Sequence, residues 1–388
     1  MKYTKSQTDN DILHELKKRL DSEKSYEHVF SSMCTPPEEI SRKIAAEFAE
    51  INLGDPGLFP KAVLLEKEVL DFFANLLHAP NSWTGTITSG GSESNLLGCW
   101  AARNWSRKIK GIKNGQILFP QSAHVSFEKA ADLLDIEAKW LSLNEKNQVD
   151  IEQVKTSINK KTIGIVGIAG TTGTGACDDI KALSDIAIDQ NLYLHVDAAF
   201  GGMIFPFLEE IGYTAPKFDF KLEGVNSITI DTHKIVGGLI PGGNIIFRSS
   251  EFSNTIAKTI SYLSDSTTQQ ITVTGTRPGN VVISAWVLLK IYGRQFIVDR
   301  VKRSFEVTEY LISKLRENSN LQLAFQPTIN IIGFKNNKIS TKELVTKLKI
   351  KGWDLSIYSD WARIVVMPHV TKEMVDKISI DLEEILKE

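Results

Sequence analysis

Ser227-Ile228-Thr229-Ile230-Asp231-Thr232-His233-Lys234 is the stretch whose reading decides this chain. A β-rich run ends on a lysine and passes into the glycine-rich loop Ile235-Val236-Gly237-Gly238, where an amine can be stripped of water and act as a nucleophile. One lysine alone is most often a surface residue. Two further stretches change the reading. His195-Val196-Asp197-Ala198-Ala199-Phe200-Gly201-Gly202 continues an apolar run and sets a carboxylate among small residues, at the strand end where open α/β sheets bind ligands. Thr88-Ser89-Gly90-Gly91-Ser92-Glu93-Ser94-Asn95 stands between an extended run and a helical one, where free backbone N–H groups and the helix dipole favour an anion such as phosphate.

Working outward, the chain alternates. Helical patterns over Ala62 to Leu77, Leu96 to Ile109 and Asp179 to Gln190 are interleaved with extended runs at Gly85–Thr88, Ile117–Phe119, Lys139–Leu143, Thr162–Ile168 and Leu192–Val196. Such βαβ alternation predicts a largely parallel sheet covered by helices. Before it come an amphipathic segment, Ile12 to Leu20, and the turn-rich Asn52-Leu53-Gly54-Asp55-Pro56-Gly57. Beyond Thr274-Gly275-Thr276-Arg277-Pro278-Gly279 the pattern becomes one long helical run, Val281 to Leu315. Strands near Asn330 to Phe334 and Ile364 to Met367 follow, with helices over Thr341 to Lys351 and Thr371 to Leu386. The expected organisation is an N-terminal arm (1–60), a large ligand-binding domain (61–300) and a small C-terminal α/β domain (301–388).

Composition removes several function classes. The 45 basic and 47 acidic residues of the 388 nearly cancel, and no basic block interleaved with aromatics marks a nucleic-acid groove. Cys34, Cys99 and Cys177 are too scattered for a disulfide framework or a metal-ligand pattern. The start, Met1 to Gln7, has no apolar core of a secretory signal, and apolar runs such as Ile163–Ile168 and Leu239–Phe247 are short. A cytoplasmic protein without membrane or nucleic-acid partners is expected.

Each candidate keeps a plainer alternative. The Gly90-Gly91-Ser92 turn suits a phosphate, or is a strand-to-helix turn with Ser92 as cap. It matches neither a P-loop nor, with Gly170 to Gly175 considered, a dinucleotide fingerprint. Asp197 can keep a pyridine nitrogen protonated. It can equally cap a helix, or share a metal with His195 two positions away on the same strand face, although no third ligand lies near. His124 reads from its surroundings as a loop or cap histidine. Tyr262, in the polar run Ser261 to Gln270, is either an acid on a mobile loop or a surface tyrosine. Arg363, opening the strand Ile364-Val365-Val366, binds a substrate carboxylate or makes a structural salt bridge. A strand-end aspartate, a strand-end lysine and a phosphate turn in one chain together look like a pyridoxal-phosphate site.

With these motifs in place, the chain resembles the pyridoxal-phosphate-dependent group II amino-acid decarboxylases, in particular their archaeal L-tyrosine/L-aspartate branch. The likeness spans nearly the whole length. It rests on Ser32-Met33-Cys34, Asn52 to Phe59, Thr88-Ser89-Gly90-Gly91, Ser126-Phe127-Glu128-Lys129, Gly167-Ile168-Ala169-Gly170-Thr171-Thr172, His195 to Gly202 and Val365 to Thr371. The resemblance implies fold type I, with a large mostly parallel seven-stranded sheet and a small C-terminal α/β domain, working as a homodimer with a shared active site. It implies that Lys234 holds the cofactor covalently, Asp197 pairs with the ring nitrogen, His124 stacks on the ring and Ala199 packs on its other face. Gly91, Ser92, His233 and a partner subunit's Thr276 would hold the phosphate, with Thr172 near the ring.

The departures concern the substrate. Asp-Thr-His-Lys stands where the family usually has Asp-Pro-His-Lys, a form shared with sphingosine-phosphate lyases, and Ser92 and Ser94 replace the commoner Thr and Ala. The expected reaction is α-decarboxylation of L-aspartate to β-alanine or L-tyrosine to tyramine. Aspartate is preferred because β-alanine serves coenzyme A synthesis. A carbon–carbon lyase on a phosphorylated amino alcohol and a glutamate decarboxylase are the alternatives, and a non-catalytic cofactor-binding protein is the reading from another class. Tyr262 or Lys234 is expected to return the proton to the α-carbon.

Overall fold

A computed structural model describes residues 8–21 and 26–387. The N-terminal stretch Met1 to Gln7, on which the secretory-signal reading was based, lies outside the described residues. The main sheet contains β1 (Thr84–Thr88), β2 (Gln116–Pro120), β3 (Glu137–Leu141), β4 (Thr162–Ile168), β5 (Tyr193–Asp197), β6 (Val225–Asp231) and β7 (Gly243–Phe247). Their order is β1-β7-β6-β5-β4-β2-β3. From β6 to β3 every pairing is parallel. β7 runs antiparallel to both β6 and β1, because the connection 232–242 holds no helix to carry the chain back across the sheet.

Strands β2, β4, β5 and β7 are buried along their whole length, as expected when both sheet faces are covered. On one face Leu97, Trp105 and Phe127, from helices Gly91–Lys110 and Ser126–Leu134, pack on Ile117, Val166 and Ile245. On the other, Leu70 and Phe73 of helix Pro60–Leu76 and Leu183 of helix Ile180–Asp189 join Leu118, Ile165 and Val196. The parallel strands end together, so the residues that finish β5 and β6 emerge on one edge. In register, Asp197 lies beside Ile168 of β4 and Thr229 of β6.

A two-residue hairpin, β8 (Lys258–Thr259) with β9 (Gln269–Gln270), brackets the loop that carries Tyr262. The second sheet has β10 (Leu321–Leu323), β11 (Ile331–Asn336), β12 (Ser356–Tyr358) and β13 (Trp361–Val365), in the antiparallel order β10-β11-β13-β12. Helices Thr341–Ile350 and Lys372–Lys387 cover it through Leu344, Leu348, Ile378 and Leu382. Phe30 of the N-terminal segment is buried in that same core.

The helical run Gly279–Glu317 is long and apolar enough to cross a bilayer by length and composition. Its helical dihedrals break at Gly293 (φ 61°). The two segments contribute Val282, Ala285 and Leu288, then Ile297, Val298 and Val301, to the main core, so the run serves here as a core helix.

Candidate active site

The ends of β5 and β6 and the start of helix Gly91–Lys110 enclose a cavity of about 220 Å³. Of the residues expected at the site, Gly91, Ser92, His124, Thr172, Asp197, Ala199, His233 and Lys234 all line it. These positions are scattered over more than 140 residues of sequence, and only the parallel sheet and its strand-end loops bring them together.

Asp197 is buried and held at both oxygens. Oδ2 accepts from Asn95 Nδ2 at 2.8 Å, and Oδ1 accepts from the Ala199 N–H at 3.0 Å. His195, one strand pleat earlier, binds no carboxylate. Its ring nitrogens contact Ser227 Oγ at 2.8 Å and Asn95 Oδ1 at 3.1 Å, and burial pushes its pKa down to about 4, with Asp197 opposing. Among the described residues no group of three His, Cys, Asp or Glu side chains is placed to hold a metal.

Lys234 Nζ lies 3.4 Å from Asp231 Oδ2 and 5.9 Å from the centre of the Phe200 ring. His233 contacts the Gly242 carbonyl through Nδ1 at 2.6 Å, with Nε2 3.9 Å from Asp231. Burial would lower its pKa, but the Cys34 side chain, Asp231 and that carbonyl together raise it. That direction suits a neighbouring anion. His124 Nδ1 accepts from the Ser126 N–H at 3.2 Å, so a neutral ring carries its proton on Nε2. Partial desolvation lowers the His124 pKa against the pull of Asp197.

At the anion end, Glu93 reaches back to the Ser89 N–H and Oγ, both at 2.7 Å. The Gly91 and Ser92 positions open the helix with no side-chain cap. A Cβ on Gly91 would stand 2.9 Å from Asp231 Oδ2 and 3.2 Å from the Ala199 Cβ. A side chain there would fill the cradle. Asp231 Oδ1 is buried without a hydrogen-bond partner. An amine, a carboxylate, a histidine whose pKa is raised and an uncapped helix start around one cavity fit a phosphorylated, nitrogen-containing aromatic ring such as pyridoxal phosphate.

Three expected residues are elsewhere. Tyr262 is 86% exposed on the β8–β9 loop, and neither it nor Thr276 lines the cavity. Arg363, only 7% exposed, sits behind Thr172. Its guanidinium donates to the Thr172 carbonyl (2.5 Å), the Ser31 carbonyl (2.8 Å) and Ser356 Oγ (2.8 Å). Among the described residues no carboxylate lies within ion-pair distance of it, so the salt-bridge alternative has no partner there.

Sequence reasoning passed over Asn95 and Asp231 as site residues. Both stood inside quoted motifs, and Asp231, a polar strand end three positions before the lysine, repeated the signal that singled out Asp197. Thr232 does not line the cavity. Its N–H and Oγ both donate to the Gly242 carbonyl, at 3.1 and 3.2 Å. Proline could make neither bond, so this departure closes the lysine loop and leaves the cavity wall unchanged.

Comparison with known proteins agrees with this geometry. Residues 42–337 match the pyridoxal-dependent decarboxylase conserved domain. The chain is 41% identical over 382 residues to a Thermococcus kodakarensis protein named L-aspartate decarboxylase, covering 98% of each chain. It is 41% identical over 358 residues to a Pyrococcus horikoshii protein named L-aspartate/L-glutamate decarboxylase, covering 92% of each. Among solved structures it is similar to the sphingosine-1-phosphate lyase of Burkholderia pseudomallei, with a TM-score of 0.92 at 25% identity, covering 100% of this chain and 92% of the other. The chain belongs to the pyridoxal-dependent decarboxylase family, enzymes that take pyridoxal phosphate as cofactor.

Proposed function

We propose that this enzyme removes the α-carboxylate of L-aspartate, releasing CO2 and β-alanine, the latter a precursor for coenzyme A. The observation that carries the reading is the cavity that brings Lys234, Asp197, His124 and His233 together; behind its Thr172 wall the buried Arg363 guanidinium has three neutral acceptors and no carboxylate partner among the described residues. A buried cation left without a counter-charge is costly, and a substrate carboxylate entering beside Thr172 would provide one. The names carried by the relatives support aspartate over tyrosine. Glutamate is the second reading, supported by the Pyrococcus horikoshii relative.

Bound in the cavity, pyridoxal phosphate supplies a ring that accepts the electron pair left when CO2 departs. Lys234 Nζ would hold the group and is the amine available to carry a proton in the cavity. Asp197 would hold a proton at the ring nitrogen. His124 and Ala199, which line the same cavity, would pack on the ring. Gly91, Ser92 and His233 would hold the phosphate, and Thr172 would border the space for the substrate.

We further read the enzyme as a cytoplasmic homodimer, with an arm (1–60), a large domain (61–300) and a small domain (301–388). A second subunit would bring Tyr262 and Thr276, both away from this chain's cavity, to a partner's site. It would also cover Ile12, Leu13, Leu16 and Leu20, a stripe left exposed on helix Asp9–Leu20. Protein reconstituted with pyridoxal phosphate and offered aspartate, glutamate, tyrosine and dihydroxyphenylalanine should release CO2 fastest from aspartate. No release from any of the four, with a normal cofactor absorbance band, would overturn the decarboxylase assignment for these substrates.

A further inference from the structure

Behind Asp197 lies a row of buried polar side chains that no catalytic step uses. Asn95, 1% exposed, stands between Asp197 and His195. A carboxylate has no hydrogen to give, so the amide nitrogen of Asn95 must face it, which is the 2.8 Å contact to Oδ2. The amide oxygen then faces His195 Nε2 at 3.1 Å and requires a donor, which puts the imidazole proton on Nε2. Nδ1 of the neutral ring accepts from Ser227 Oγ at 2.8 Å. Ser227 Oγ in turn accepts from the Tyr193 hydroxyl at 2.9 Å.

One set of directions then satisfies the whole row, with Thr229 Oγ a second, longer neighbour of His195 Nε2 at 3.4 Å. Tyr193 donates to Ser227, Ser227 to His195, His195 to Asn95, and Asn95 to Asp197. All four bonds run toward the carboxylate, and hydrogen bonds aligned head to tail polarise one another. A charged His195 would reverse the Ser227 bond, and burial keeps that ring neutral. We propose that Asn95 is a positioning residue, the last link of a Tyr193–Ser227–His195–Asn95 relay that holds the Asp197 carboxylate aimed at the cofactor ring nitrogen, so that this nitrogen stays protonated. The inference rests on the reading that Asp197 is the partner of that nitrogen.

The test uses holoenzyme loaded with cofactor labelled with nitrogen-15 in the ring, whose chemical shift separates protonated from unprotonated nitrogen. Asp197→Ala should abolish the protonated signal. If it does not, the underlying reading of Asp197 fails. With Asp197 verified, Asn95→Leu should lower the ratio of protonated to unprotonated nitrogen roughly tenfold, one pKa unit, the scale of one hydrogen bond to a charged group. Tyr193→Phe removes only the far donor and keeps the ring packing, so it covers the case in which Asn95→Leu does not fold. It should shift the ratio the same way by about twofold. An unchanged shift in Tyr193→Phe together with an unchanged shift or no fold in Asn95→Leu would overturn the relay.

Discussion

Arg277→Met tests how the loop that ends at Thr276 is held against the body of the enzyme. Arg277 Nη1 lies 2.7 Å from Glu66 Oε1, and Nη2 lies 3.1 Å from Oε2. The same guanidinium donates to the carbonyls of Ile87 (3.1 Å) and Leu53 (3.3 Å). Glu66 is 7% exposed and also accepts from the Ile87 N–H at 2.9 Å. Removing the cation strands a buried carboxylate, at about 3–5 kcal/mol, and the two carbonyls lose donors worth about 1 kcal/mol each. The expected cost is therefore about 5–7 kcal/mol. With an unfolding entropy near 0.8 kcal/mol/K for a chain of this length, the melting temperature should fall by about 6–9 °C. Glu66→Met should cost a similar amount by stranding the arginine. The double variant leaves no buried charge, so it should lose about 3 kcal/mol less than the two singles summed. Thermal unfolding of the four proteins at one cofactor concentration measures that coupling. Additivity within about 0.5 kcal/mol would refute the pairing as the element that holds the loop.

Other expectations follow from buried titratable groups and from the lysine. Burial raises the Asp178 pKa to about 6, against two backbone N–H bonds of 2.7 Å from Val149 and Ile168. A folded pKa above the unfolded one means that this group adds stability as pH falls from about 6 to about 4, by about 3 kcal/mol. The His195 pKa is depressed to about 4 by burial, so its contribution is lost as pH falls from about 6.5 to about 4, by a similar amount. The two slopes oppose each other in the parent enzyme. Asp178→Asn should steepen the acid loss, and His195→Gln should flatten or invert it. Urea unfolding at about pH 5 and about pH 7 reads both, and parallel pH dependence in all three proteins would count against these assignments. Lys234→Ala should abolish the covalent cofactor absorbance band, and a band that persists would place the anchor on another lysine.

Much of the fold was legible because its strongest signals are local. The runs ending at Asp197 and Asp231 are apolar or β-branched, and each delivers a candidate residue to the cavity, Asp197 at one strand end and Lys234 three positions beyond the other, so strand, strand end and candidate site came from one pattern. The helices Pro60–Leu76, Gly91–Lys110 and Ile180–Asp189 were readable from their apolar spacing. The direction of β7 was not, since the apolar run Leu239–Phe247 reads alike whichever way it pairs, and the sheet proved parallel only from β6 to β3. Helix Ile151–Ser157 and strands β10 and β12 are too short to show a period. At the site, motif proximity supplied Lys234 and Asp197. The three acceptors of Arg363 come from residues 31, 172 and 356, an arrangement that no spacing rule contains.

Gly98 shows how a weak sequence signal acquires a physical meaning. It stands inside helix Gly91–Lys110, where alanine would be favoured by about 1 kcal/mol. A Cβ at this position would lie 2.5 Å from His195 Nδ1 and 2.7 Å from Cε1. The imidazole thus packs closely against the helix at this glycine, and its ring fills the space of the missing side chain. The ring cannot retreat, because Ser227 and Asn95 hold its two nitrogens at 2.8 and 3.1 Å. Gly98→Ala should therefore displace a fully buried ring at an overpacking cost of about 1–3 kcal/mol, which outweighs or cancels the gain in helix propensity. The same displacement should disturb the contact from Asn95 to Asp197 and shift the absorbance of bound cofactor. Thermal unfolding and the holoenzyme spectrum measure the two effects separately. A Gly98→Ala enzyme more stable than the parent by the full helix-propensity increment, with an unaltered cofactor spectrum, would show that His195 has room to move and that its contact with this helix does not fix the ring.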